Sequence, residues 1–282
     1  MTMSFYRRFG RLPSGLKLVN LLLGGWTGVV FAFLYLPIIL LIIFSFNASP
    51  RSNEWTGFTF DWYKKMAANE RLMQSALNSV IIAGVTTLIS VVLGTLGAWL
   101  MYRYRYPLSR AVGTLIVVPM IIPEVIMGVS LLMFFAMTNG RLNDWLETSV
   151  FGLGFVTVTI SHVTFCFPFV LIAVQARLAG LDPSLEEAAM DLGATPLKAF
   201  MLVMLPYLLP AIISGALMSF TLSMDELIVT FFVSDAGSRT LPLEVYGLAR
   251  KGLDPSLNAI SALFVTGTVL LVLASEWFRR RV

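Results

Sequence analysis

Seven stretches of this chain carry no Asp, Glu, Lys or Arg: residues 18–50, 72–102, 111–123, 125–140, 148–176, 199–224 and 255–275. A helix crossing the hydrocarbon core needs about 20 predominantly apolar residues. Glu124 alone separates the third stretch from the fourth, so the two read as one span. The pattern predicts six transmembrane helices, centred on residues 22–46, 76–101, 112–138, 152–176, 208–233 and 256–276. The fold class that follows is all-α: a polytopic membrane protein whose fourth and fifth spans are joined by a polar hairpin. Residues 1–18 precede the membrane region, residues 19–276 form it with a loop at 177–200, and residues 277–282 make a basic tail. The first apolar run is too long for the core of a signal peptide and is kept as a span.

Composition changes little in that picture: 57% of residues are hydrophobic and 13% are charged, against about 25% charged in a soluble domain. Charge placement adds orientation. With the N-terminus inside, twelve of the 20 basic residues fall on inner segments, Arg103, Arg105 and Arg110 among them in one short loop. That bias favours both termini in the cytoplasm and puts residues 177–200 on the cytoplasmic face. The basic ends suit lipid headgroups better than nucleic acid. The single cysteine excludes an internal disulfide.

The polar interruption is LDPSLEEAAMDLGATPLKAF, residues 181–200. Asp182 can cap a helix that starts at Pro183, whose missing N–H would have no partner there anyway. Ser184 and Glu187 offer an alternative capping box. Leu185, Ala188, Ala189 and Leu192 then share one apolar face. Gly193 is a natural stop, followed by Ala194, and Thr195 with Pro196 opens a second helix through Lys198 toward the fifth span. Glu186, Glu187 and Asp191 are expected to keep this knob soluble until it docks. LDPSL recurs at 253–257, so the pentapeptide is generic helix-start chemistry and the specific part is EEAAMDLGA.

Glu187-Ala188-Ala189, Gly193 four residues beyond, and then Leu205-Pro206 resemble the cytoplasmic signature loop of importer-type ABC permeases. The resemblance implies that Glu186, Glu187, Ala188, Ala189, Asp191, Leu192, Gly193 and Ala194 couple this chain to an ATP-hydrolysing partner. The sequence holds no G-x-x-x-x-G-K-[ST] phosphate cradle. It is therefore expected to be a transport subunit without catalytic residues, metal or cofactor of its own, with ATP and magnesium on the partner.

Three acids lie inside predicted spans: Glu124 in the third, Asp225 and Glu226 in the fifth. An ionised group at the bilayer centre costs about 2.5–3.5 kcal/mol on insertion scales, which makes each a functional candidate. At helical rise Glu124 and Asp225 lie about 20 Å into their spans, at similar depth. Pro119 and Pro123 are expected to interrupt the helix beside Glu124. Broken helices at that depth belong next to a watery cavity or inside protein. Carboxylates without intramembrane Lys or Arg favour a cationic solute. The alternative is that the acids are protonated, or pair with polar groups such as Ser223 or Thr230 and only fix packing. Trp26, Tyr35 and Tyr246 are possible aromatic neighbours, with interfacial anchoring or packing as their other use. Gly84, Gly94, Gly97 and Ala98 read as close-packing positions in the second span.

The stretches around those acids extend the resemblance. Pro123-Glu124 followed by Gly128-Val129-Ser130-Leu131-Leu132, Ser161-His162-Val163-Thr164-Phe165, and Thr221-Leu222-Ser223-Met224-Asp225-Glu226 are similar to the spermidine/putrescine permeases of bacterial polyamine importers. That family implies a second homologous permease subunit, paired ATPase subunits and an extracytoplasmic polyamine-binding protein. It also implies that Glu124, Asp225 and Glu226 receive ammonium groups of the polyamine. Glutamates stand at 124 and 226 where the family pattern usually has aspartates, one methylene longer each.

Two other classes are weaker. His162 and Cys166 share a helical face as a nucleophile–base pair would, yet no third group orients them, and one His with one Cys is a poor metal set. A stand-alone channel or ion-coupled carrier would explain the acids but not the hairpin. Within the importer class, another small cation such as thiamine or ferric ion is the alternative cargo. Loops 47–71, 139–147 and 234–254 are expected to form the outer docking surface, with a short structured piece around Trp55, Trp62 and Tyr63.

Overall fold

In hydrocarbon a backbone amide finds no water, so an apolar run must satisfy its own N–H and C=O groups as helix. The computed structural model describes residues 14–49, 54–104, 107–146, 152–182, 184–250 and 255–279. Residues 1–13 of the N-terminal segment, residues 280–282 of the tail, Pro183 and parts of the three outer loops lie outside the described residues.

Helix α1 (Ser14–Phe44) carries the first span, α2 (Asp61–Ala68) is short, and α3 (Glu70–Arg103) carries the second. The third span is divided between α4 (Ser109–Ile121) and α5 (Glu124–Leu146), and α6 (Phe155–Leu178) is the fourth. Helices α7 (Ser184–Asp191) and α8 (Pro196–Ala199) form the hairpin, and a π-helical turn at Phe200–Met204 leads into α9 (Leu205–Asp225). Then follow α10 (Ile228–Val233), α11 (Leu241–Ala249) and α12 (Ser256–Arg279). Four helices are long and apolar enough to cross a membrane alone, and the α4–α5 pair, bent by 108°, makes a fifth if counted as one span. The last expected span corresponds to α12, apolar over its described stretch Ser256–Leu270. Two expected spans differ in outline. The third is bent sharply, and the fifth begins as early as Pro196 and stops at Asp225 rather than running through to 233.

The chain divides into two units, residues 1–64 with 254–264 and residues 65–253 with 265–282. In the first unit α1 is exposed on every side from Val19 to Leu40. Beyond it Asn47 organises a tight turn: its amide donates to the Glu54 carbonyl at 2.6 Å and accepts from the Thr56 N–H at 3.0 Å. The Trp62 indole donates to the Asn47 carbonyl at 2.7 Å, and the Tyr63 and Ser45 hydroxyls bond at 2.6 Å. The short structured piece expected around Trp55, Trp62 and Tyr63 is this turn together with the start of α2.

The second unit is built on α3, α6 and α9, which pack against one another. A Cβ on Gly94 would lie 2.7 Å from the Val170 Cβ and 2.9 Å from the Leu171 nitrogen, and one on Gly215 would lie 3.0 Å from the Val170 Cα. Val170 of α6 is thus wedged between glycines of α3 and α9, the small-residue contact that membrane helices use in place of hydrophobic drive. Gly97 meets the Leu171 side chain and Ala98 is wholly buried, as expected. Gly84 has no heavy atom within 4 Å of its would-be Cβ, so close packing does not explain it. Val174, Leu178, Met204 and Leu208 continue this core toward the hairpin.

Candidate functional site

The bend in the third span is written in one dipeptide. The ring of Pro123 clashes with a helical residue before it, so Ile122 is forced to φ −68°, ψ 132°, and α4 ends there. A new helix then starts at Glu124, with the Met127 N–H bonded to the Pro123 carbonyl at 3.1 Å. Pro119, also expected to interrupt the span, sits inside α4 without ending it. Gly128 lets α5 approach α10: a Cβ there would lie 2.6 Å from the Phe232 ring and 3.3 Å from the Val229 Cα.

The second break has no proline or glycine. Helix α9 stops at Asp225, Glu226 turns extended at φ −68°, ψ 116°, and α10 starts at Ile228. Glu226 makes the new helix start itself, its Oε1 accepting the Val229 N–H at 2.6 Å. His162 on α6 holds both flanks. Its Nδ1 bonds the Ser223 hydroxyl on α9 at 2.7 Å and its Nε2 bonds the Thr230 hydroxyl on α10 at 2.8 Å. The imidazole is wholly buried, and the Cys166 thiol below it donates to the Ser219 carbonyl at 3.6 Å. His162 and Cys166 are therefore structural bolts. Ser223 and Thr230, considered above as partners for the acids, bond His162 and no carboxylate, and the Thr230 hydroxyl also donates to the Glu226 main-chain carbonyl at 3.3 Å.

The two breaks face each other across one cavity of about 620 Å³. Glu124 lines it from the start of α5, Asp225 and Glu226 from the end of α9, and Phe165 and Phe169 from α6. Met120, Met127 and Leu222 add apolar wall, and no basic side chain lines it among the described residues. Both Asp225 and Glu226 reach this space although they are adjacent in sequence, because the helix breaks between them. Among the described residues neither Glu124 nor Asp225 has an ion pair, and both are exposed and line the cavity, whereas Glu226 is buried and engaged with the Val229 N–H at the start of α10. The aromatic lining is Phe165 and Phe169. Trp26 and Tyr35 lie exposed on α1, and the Tyr246 ring carries the Arg250 guanidinium at 5.2 Å.

At the hairpin, Asp182 supplies the first cap, its Oδ1 accepting the Ser184 N–H at 3.0 Å, and that bond holds its carboxyl below the usual value. The Ser184–Glu187 box is not what caps α7. Gly193 adopts φ +86°. Around it the Ala194 N–H bonds the Ala189 carbonyl and the Gly193 N–H bonds the Met190 carbonyl, a Schellman ending that only glycine enters cheaply. Thr195 caps α8 with Pro196 at its first position. Leu185, Leu192 and Leu197 are exposed, Leu192 to 90%, together with Ala188, Glu187 and Asp191. Glu186 departs from expectation. It is buried and ion-paired with Arg103 at the end of α3, so it does not help to solvate the knob.

At the far end of α3 the Asn78 amide donates to the carbonyls of Gly237 and Arg239, and the Ser79 hydroxyl accepts the Leu241 N–H at 2.7 Å. Glu244, buried, accepts from Arg71 at 3.0 Å and Arg239 at 3.3 Å. Asp235 closes the preceding turn on Ser238, whose hydroxyl and N–H hold its carboxyl below the ordinary range. The 234–240 loop and α11 thus form a fastened ledge at the end opposite the hairpin.

The family described as "Binding-protein-dependent transport system inner membrane component" matches residues 90–282, a stretch that contains the hairpin and all three acids. The putrescine transport system permease protein PotI of Escherichia coli is 39% identical over 263 residues, covering 93% of this chain and 89% of that one. The spermidine/putrescine transport system permease protein PotC of Haemophilus influenzae is 36% identical over 253 residues, covering 90% and 94%. Among solved structures, a chain of a bacterial ABC transporter involved in the import of the acidic polysaccharide alginate superposes with a TM-score of 0.76. It is 20% identical and covers 95% of this chain and 96% of that one, a likeness of fold.

Proposed function

This chain belongs to the family of binding-protein-dependent transport system inner membrane components, and from that premise we propose that it is a permease subunit of an ATP-driven polyamine importer. The observation that carries the substrate class is the cavity: three carboxylates around about 620 Å³, two of them without an ion pair among the described residues, and no lining cation. An anionic cargo would want arginine there, and the two helix starts that line the cavity, those of α5 and α10, already carry the carboxylates Glu124 and Glu226. A polyamine offers what the walls lack, ammonium groups spaced along an apolar stem. Glu124 and Asp225 take the ammonium groups. Phe165 and Phe169 add about 0.5–2 kcal/mol each where a cation crosses a ring face. Met120, Met127 and Leu222 cover the methylenes.

The mechanism is alternating access across two helix breaks. A loaded polyamine-binding protein docks at the extracytoplasmic ledge of loop 234–240 and α11. The exposed leucines of the hairpin seat in a groove of the ATPase subunit on the cytoplasmic side, where ATP and magnesium are bound. A second, homologous permease completes the pathway, and closure of the ATPase pair moves the hairpin and switches the side to which the carboxylates open. Both termini are cytoplasmic in this arrangement. The test is the complete system in proteoliposomes. Putrescine or spermidine should accumulate only with ATP and the loaded binding protein together. Accumulation of neither, by an assembled complex that hydrolyses ATP, overturns the substrate assignment.

A further inference from the structure

The pair formed by Arg103 and Glu186 has no part in the cavity and lies away from the exposed leucines of the hairpin. Both side chains are largely withdrawn from solvent, at 20% and 11% exposure. Burying two charges costs hydration that their attraction barely recovers, so such a pair is better evidence of a fixed position than of stability. Its place is specific. Arg103 stands in the last turn of α3 and Glu186 in the first turn of α7, where each charge also favours its own helix end. The Arg103 guanidinium reaches on to the Met190 sulfur at 3.9 Å, one turn along α7.

Two further contacts fasten the segment that follows the hairpin to the same block. Trp99, one turn before Arg103, packs its ring 4.5 Å from that of Phe200 in the π-helical turn. Arg177 at the end of α6 donates to the Tyr207 carbonyl at 3.3 Å and lies 4.2 Å over its ring. The chain just beyond the hairpin is therefore held to α3 and α6. Among the described residues only the Arg103–Glu186 pair ties α7, which carries Leu185 and ends just before Leu192, through a charge.

We propose that Arg103 and Glu186 form a latch that makes α7 and α3 move as one body. Motion delivered to α7 then reaches α3, and through the Gly94–Val170 contact it reaches α6 and the cavity wall. Both are positioning residues, and Glu186 acts within this chain rather than on the ATPase. The proposal rests on the ATPase-docking reading of the hairpin.

The experiment measures ATP hydrolysis and radiolabelled putrescine uptake together in proteoliposomes of the complete importer, at equal amounts of assembled complex. Arg103→Glu and Glu186→Arg should each lower uptake per ATP hydrolysed by about fivefold or more. The exchanged pair, R103E with E186R, should recover most of that loss, short of all because each helix end then opposes its charge. Glu186→Gln, which keeps the shape and loses the charge, carries the test if a reversal does not assemble and should also uncouple. Normal coupling in the single variants, or an exchanged pair that assembles and stays uncoupled, overturns the latch. Leu192→Arg separates the two ideas: it should release the ATPase from the purified complex. If the ATPase stays bound and stimulated, the docking reading falls and the latch with it. If the ATPase is lost while the latch variants couple normally, the latch alone falls.

Discussion

Truncating His162 should unhook both flanks of the break at Glu226. The imidazole makes two bonds, at 2.7 Å to Ser223 and 2.8 Å to Thr230, and is wholly buried. Side-chain hydrogen bonds between membrane helices average about 0.6 kcal/mol and reach about 1.7, so losing two is worth roughly 1–3 kcal/mol. Alanine also leaves a hole, and truncation of a buried side chain costs about 2–5 kcal/mol. The terms overlap, and about 3–5 kcal/mol is expected for His162→Ala. His162→Leu fills the space without bonding and should lose only the first part, about 1–3 kcal/mol. Chemical unfolding in lipid–detergent micelles reads both, and putrescine uptake against concentration reads the consequence. Because the break sets where Asp225 and Glu226 stand, half-saturation should move to higher putrescine in both variants. Stabilities within about 0.5 kcal/mol of wild type would refute the bolt, since that is the range of an inert surface change.

Three further outcomes follow from single positions. Gly193→Ala puts a Cβ on a residue at φ +86° and should destabilise the α7 ending by about 1–2 kcal/mol, seen as faster proteolysis of the hairpin. Gly94→Val drives atoms into Val170 and the Leu171 backbone at under 3 Å. It should lower stability by about 1–3 kcal/mol and reduce assembly, whereas the same change at Gly84 should be tolerated. Asp235 is depressed by the Ser238 hydroxyl and then by the amides of Ser238 and Gly237. The turn should stay closed through the ordinary carboxylate range and open only as pH falls through the lowered value. Hydrogen exchange at Gly237 and Ser238 measures that, and Asp235→Asn should abolish the pH dependence.

Hydropathy made the apolar helices legible, because lipid leaves an apolar run no choice but helix, although the fifth stops at Asp225, short of the expected 233. The break at Ile122 was also legible, since Pro123 acts on its own neighbour. Pro119 shows the limit of that rule: the same residue type inside α4 leaves the helix running. The break at Glu226 carried no local signal of comparable strength. Its flanks are held by a histidine 61 residues from Ser223 and 68 from Thr230, and no window around Glu226 contains it. The pair of acids in an apolar run, with one acid three residues before Val229, was the only hint of a helix start. Glu186 misled for a similar reason. A polar-looking helix suggests a solvated acid, and its partner Arg103 belongs to a different span. Residue type offers Trp26, Tyr35 and Tyr246 only as possible aromatic neighbours beside interfacial anchoring or packing, and the rings that line the cavity are Phe165 and Phe169.

The most direct test is radiolabelled putrescine and spermidine uptake by cells expressing the complete system, comparing wild type, Glu124→Gln and Asp225→Asn at equal membrane abundance. The variants keep shape and remove one charge each from the cavity. Uptake should fall in both while complex assembly and ATP hydrolysis persist, with the larger loss for the longer polyamine if both carboxylates are needed along its length. Unchanged uptake of both polyamines in both variants would contradict the claim that these carboxylates lie on the path of the solute.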